Sequence, residues 1–140
     1  MSEEGKVVVL ACSGIGKVLG SITRLVLYHI IDEMRRQNTT TTCLPLVALK
    51  DKEAVALVSN HPCITIDGCP NKCAKVSAEN AGATAVKAFT VAEFMRKFKD
   101  LKPSAASVLE PGQGGRALAR KIAEQISLEV DELSNENVRF

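Results

Sequence analysis

A chain of 140 residues suits one domain with a core of ordinary size. With 46% hydrophobic and 24% charged residues it is globular rather than disordered, and a net charge of +2 is too small for a nucleic-acid or anionic-membrane surface. No Trp and a single Tyr leave no platform for base stacking.

The first element is "KVVVLA", Lys6 to Ala11, a short β-branched run that predicts a buried strand. The two acids before it and its shortness argue against a signal peptide. A glycine-rich turn, "CSGIGKVLG", follows. Val18, Leu19, Ile22, Leu25, Val26, Ile30 and Met34 then recur at helical spacing, predicting a helix to about Arg36. "NTTTTC" predicts a second strand ending near Cys43. "LPLVALK" is a loop or strand extension, since Pro45 does not suit a central strand. "DKEAVALVSN" predicts a second helix and "CITI", Cys63 to Ile66, a third strand.

Asp67-Gly68 is a turn signal. Pro70 suits a first helical position, which makes Cys69 the expected N-cap of the next helix. Gly82 is placed to end that helix in a left-handed conformation. "TAVKAF" predicts a fourth strand, and Thr90 with Glu93 has the spacing of a capping box opening a further helix. Residues 101–115 are turn-rich and predict a loop. The last helix, about 115–133, places Leu118, Ile122 and Ile126 on one face, and 134–140 is expected to fray. The whole predicts a single three-layer α/β domain over 1–133: a mostly parallel sheet of about four strands, with helices on both faces.

No segment is long and apolar enough to span a bilayer, so a cytoplasmic location is expected. Five cysteines in a reducing compartment point to metal binding or catalysis rather than to disulfides. Cys12, Cys43 and Cys69 follow the first three strands, and Cys73 lies about one turn beyond Cys69. Ligands of parallel sheets gather beyond the carboxyl ends of the strands, so these four thiols are expected at one edge. Thiolates are favoured near helix N-termini, and Lys17, Lys72 and Lys75 are close enough in sequence to offset their charge. Four sulfurs in a tetrahedron suit zinc, with an iron–sulfur cluster as competitor. From the residues alone, a metal site, a reactive thiol pair and ordinary core cysteines all remain open.

"ACSG" after the first strand, "TTC" after the second and "IDGCPNKCA" after the third resemble, in that order, the DGC-domain family. The family is named for the Asp-Gly-Cys tripeptide, here Asp67, Gly68 and Cys69. The resemblance covers about residues 6 to 98. It implies zinc chelation by four cysteines, which map onto Cys12, Cys43, Cys69 and Cys73, and it implies no activity. The chain departs from the family's usual turns at "GIGKVLG" and "CLPLV".

The remaining reactive side chains have plainer explanations. Cys63 opens a strand at the far edge and is expected to be a small buried apolar residue. His29, beside the apolar stripe of the first helix, and His61, in a loop before Pro62, are expected to be structural. Lys17 is followed by Val18, so the phosphate-binding loop pattern fails. The glycines at 14, 16 and 20 leave a dinucleotide or a small anion as further ligand classes, and a thiol-redox or metal-dependent enzyme as the alternative function. Asp67 is explained by turn propensity, or by a base beside an open metal site. "EPGQGGR" is expected to be a loop. Nothing in the chain names a protein partner.

Overall fold

The structure, a computed structural model, describes residues 6–12, 17–68, 70–103 and 107–138, with side chains to Asn135. Four strands, β1 (Val7–Ala11), β2 (Thr39–Thr40), β3 (Cys63–Asp67) and β4 (Val86–Thr90), form one sheet in the order β2-β1-β3-β4. Every pairing is parallel, with Val8 opposite Cys63 and Asp67 opposite Thr90. Six α-helices surround it: α1 (Val18–Tyr28), α2 (Leu44–Ala48), α3 (Lys52–Asn60), α4 (Cys73–Asn80), α5 (Val91–Lys97) and α6 (Gly112–Val138).

The strands are apolar on both sides, so the alternation of side chains builds two cores. Val7, Val9, Ile64 and Ile66 face α1, α5 and α6, where Ile22, Val26, Leu118, Ile122 and Ile126 are fully buried. Val8, Leu10 and Cys63 face α2, α3 and α4, packing on Val47, Val58 and Ala78. The chain steps one way from β1 to β2 and the other way from β2 to β3 and β4. Crossovers of one hand then place α1 on one face and α2, α3 and α4 on the other, as observed.

Several elements differ from the sequence expectation. The first helix stays α-helical to Tyr28 and continues as π-helical turns over His29–Met34. β2 stops at Thr40, and Cys43 caps α2 instead of ending a strand. Thr41 accounts for this: its hydroxyl donates to Val9 O at 2.6 Å, taking an acceptor that a longer strand would have used. Pro45 lies in the first turn of α2, where a missing N–H costs nothing. α6 begins at Gly112, inside the expected loop, and runs through the expected fraying segment to Val138.

Thr65 is a flaw in the centre of this sheet. Its hydroxyl is fully buried on β3 and has no hydrogen-bond partner among the described residues. An unpaired buried hydroxyl is destabilising, and valine has nearly the same shape. Thr65→Val is therefore expected to raise the unfolding free energy by about 1 kcal/mol, measured by urea titration. A loss of stability would show that the hydroxyl is satisfied.

Candidate functional site

The order β2-β1-β3-β4 reverses direction between β1 and β3. At such a switch point the connecting loops diverge and leave a crevice beyond the carboxyl ends of the strands. Cys12 and Asp67-Gly68 occupy the two sides of that crevice. Cys12 extends the ladder by donating its backbone N–H to Ile66 O at 3.0 Å. Its side chain is 8% exposed, and its sulfur accepts the backbone N–H of Gly68 at 3.3 Å.

Space is tight at Gly68. A Cβ would sit 3.1 Å from the backbone carbon and the Cβ of Leu19. The bare glycine lets the turn after β3 lie against the start of α1 and reach Cys12. Thr23, buried on α1, braces the same loop. Its hydroxyl lies 2.6 Å from Gly20 O, 3.0 Å from Cys12 O and 3.5 Å from Cys12 Sγ. Thr23 was not singled out from sequence, although a polar residue among the apolar positions of α1 was the available signal.

Asp67 is 1% exposed and caps α4 from outside the helix. Its two carboxylate oxygens accept the N–H groups of Ala74, at 2.8 Å, and Lys75, at 3.3 Å. The chain reaches this position through Lys72, which is left-handed at φ 52°. The expected cap at Cys69 and first position at Pro70 are therefore corrected: α4 starts at Cys73, and the buried Asp67 carboxylate accepts the Ala74 and Lys75 amides. Hydrogen bonds to a charged acceptor are the stronger ones. Burial pushes the Asp67 carboxyl above its ordinary pKa, while the Ala74 and Lys75 amides and the Lys72 charge pull it back.

The other predicted ligands divide clearly. Cys43, at the N-cap of α2, and Cys73, the first residue of α4, are exposed. Cys69 lies outside the described residues, as do Gly14 and Gly16 of the glycine-rich turn. Lys17 is exposed at the entry to α1. Among the described residues, no three His, Cys, Asp or Glu side chains form a group able to hold a metal. Cys12, Cys43 and Cys73 therefore do not make such a group by themselves. In donor type alone, thiols suit a thiophilic metal. Three thiols follow three successive strands, and the buried one accepts the Gly68 backbone N–H.

Cys63, His29 and His61 have structural roles, whereas "EPGQGGR" is helical from Gly112 instead of the expected loop. Cys63 is fully buried, donates to Val58 O at 3.3 Å, and has its thiol pushed up to about 12 by burial. His29 pairs with Glu33 at 3.4 Å, and His61 contacts Leu57 O at 2.9 Å. In "EPGQGGR", Glu110 accepts from Arg116 Nε at 2.9 Å and from the Gly112 amide at 3.0 Å, a structural clasp at the start of α6.

Among the described residues no helix is long and apolar enough to cross a membrane. No curated protein and no solved structure matches the chain. The family model of the DGC domain matches residues 8–111, which takes in β1 through the start of the α6 clasp, with Cys12, Cys43, Asp67, Gly68 and Cys73 all inside it. The chain belongs to the DGC-domain family.

Proposed function

We propose that the β1/β3 edge is a thiophilic-metal centre, with zinc as its ion and Cys12, Cys43, Cys69 and Cys73 as its sulfur ligands. The supporting observation is the Gly68 N–H on Cys12 Sγ, which ties the loop after β1 to the residue just before Cys69. A metal bound there would cross-link the segments that follow β1, β2 and β3. The chain's own residues do the rest. Asp67 fixes the start of α4 and hence Cys73, Thr23 and Gly68 fix Cys12, and Lys17, Lys72 and Lys75 lie near enough in sequence to moderate the negative charge of four thiolates. A reducing cytoplasm keeps such thiols free for the metal.

Protein purified without added zinc should carry about one equivalent of tightly held metal, and anomalous scattering at the zinc edge should locate it. Less than about half an equivalent overturns the proposal. Signal at the iron edge in place of zinc selects the cluster. Cys69→Ser and Cys73→Ser should each lose the metal, whereas Cys63→Ser should retain it, because Cys63 is buried at the opposite end of β3.

A further inference from the structure

We infer that the open edge of β4 pairs with the β4 of a second copy of this chain, antiparallel and about a two-fold axis, so that the two sheets become one. The inference is independent of the metal centre proposed above.

The two edges of the sheet are not alike. β2 offers two residues, Thr39–Thr40, whereas β4 offers five, Val86–Thr90. A very short edge strand is protected against pairing with another chain, and β4 lacks that protection. The direction of its backbone groups follows from one bond: Cys63 donates its N–H to Ala85 O at 2.9 Å. Backbone groups alternate sides along a strand, so Lys87 and Phe89 also turn theirs toward β3, and Val86 and Ala88 turn theirs outward. Thr90 fits the alternation, because its N–H leaves the ladder and donates to Glu93 Oε1 at 2.7 Å. The capping box thus closes one end of the edge. At Val86 and Ala88 no strand pairs on the outer side among the described residues.

The flanks of this edge match a second copy. Lys87 and Phe89 stand opposite Ile64 and Ile66, so their side chains share the face covered by α5 and α6. Lys97 Nζ lies 3.5 Å from Gln125 Oε1, while Lys87 Nζ reaches Glu129 at 2.6 Å and Glu132 at 3.5 Å. α6 therefore runs back along β4, from its end toward its start. Near Thr90 the charges are Glu93, Arg96 and Lys97, a net positive end. Near Val86 they are Lys87, Glu129 and Glu132, a net negative end. An antiparallel pair about a two-fold axis sets the positive end of each copy against the negative end of the other. Lys87 does not guard the edge, because its ammonium is drawn onto α6. Leu128 shares a stripe of α6 with Gln125 and Glu132 and is 58% exposed. A cleft of about 250 Å³ between α5 and α6, lined by Phe89, Phe94 and Gln125 among others, lies beside it. Pairing at β4 covers both.

The test is sedimentation equilibrium of the full-length chain over about 1–200 µM. A monomer–dimer equilibrium is expected, with the Val86 and Ala88 amides exchanging for deuterium more slowly in the dimer than after dilution. A monomer throughout that range overturns the inference, and so does a dimer in which those two amides are unprotected. Ala88→Pro removes an outward N–H and leaves the ladder to β3 intact, the one kind of strand position where proline is tolerated. It should remain folded by circular dichroism and become monomeric; a folded variant that still dimerises like the parent overturns the inference. Should Ala88→Pro fail to fold, Glu132→Lys keeps the question open to refutation, since Glu132 is 68% exposed. That substitution acts twice in each dimer and should raise the dissociation constant about tenfold. An unchanged constant overturns the inference.

Discussion

Asp67→Ala will lower the unfolding free energy by about 2–4 kcal/mol, because it removes two hydrogen bonds to a charged acceptor and leaves a buried amide unpaired. The carboxylate is 1% exposed and accepts from Ala74 and Lys75, and Ala74 is itself fully buried. Water cannot freely replace an acceptor there. Asp67→Asn keeps one oxygen acceptor and should lose about half as much. Urea titration gives the stabilities, and hydrogen exchange adds a local readout: the Ala74 and Lys75 amides should exchange faster in the alanine variant than those of α6. If Asp67→Ala is as stable as the parent, the cap across the turn does not hold. The consequence for function follows from position. Cys73 is the residue just before Ala74, so a loosened helix start displaces that thiol too.

Gly114→Ala will also destabilise the protein, by about 3 kcal/mol, although the substitution improves helix propensity by about 1 kcal/mol. Gly114 lies in the first turn of α6, and a Cβ there would sit 2.1 Å from the carbonyl oxygen of Lys102. That oxygen belongs to backbone, so it cannot swing aside as a side chain could. Gly115 is similarly confined, with Pro111 Cβ 2.4 Å from where its own Cβ would be. Thermal or urea unfolding decides the matter by sign. A gain in stability means propensity alone governs the position, and a loss means the crossing chain does. Gln113→Ala, an exposed neighbour, should stay within about 0.5 kcal/mol of the parent.

The two predictions share a cause. In each, a residue that looks like ordinary turn material in sequence is held by a contact beyond its own turn, with Ala74 and Lys75 for Asp67 and with Lys102 for Gly114. Asp67-Gly68 reads as a turn signal, and it is one; nothing local says that Asp67 will cap a helix starting at Cys73 or that Gly68 will reach Cys12. "PGQGG" reads as a loop because glycine disfavours helix. It is helical all the same, and the close passage of Lys102 and Pro103 is what its glycines make room for.

The candidate site divides along the same line. That cysteines follow each of the first three strands is plain from the spacing, and "ACSG", "TTC" and "IDGCPNKCA" together carry the family resemblance, the last being the most specific. Thr23 could have drawn attention as a polar residue on an apolar helix, but its partner, the Cys12 loop, is reached only through the packing of α1 on the sheet. The contrast between a buried Cys12 and exposed Cys43 and Cys73 is likewise absent from composition and spacing.

What the sequence determined by itself is whatever depends on near neighbours: the β-branched runs of β1, β3 and β4, the apolar faces of α1 and α6, the Thr90–Glu93 capping box and the left-handed Gly82. Each follows from side-chain periodicity or from bonds spanning a few residues. Tertiary structure alone decided where α4 and α6 begin, how short β2 is, and which thiol is sheltered. Those outcomes rest on hydrogen bonds and steric contacts between segments far apart in the chain, such as Gly68 with Cys12 and Thr41 with Val9. A contact of that kind exists only once folding has brought both partners together, so neither segment encodes it separately.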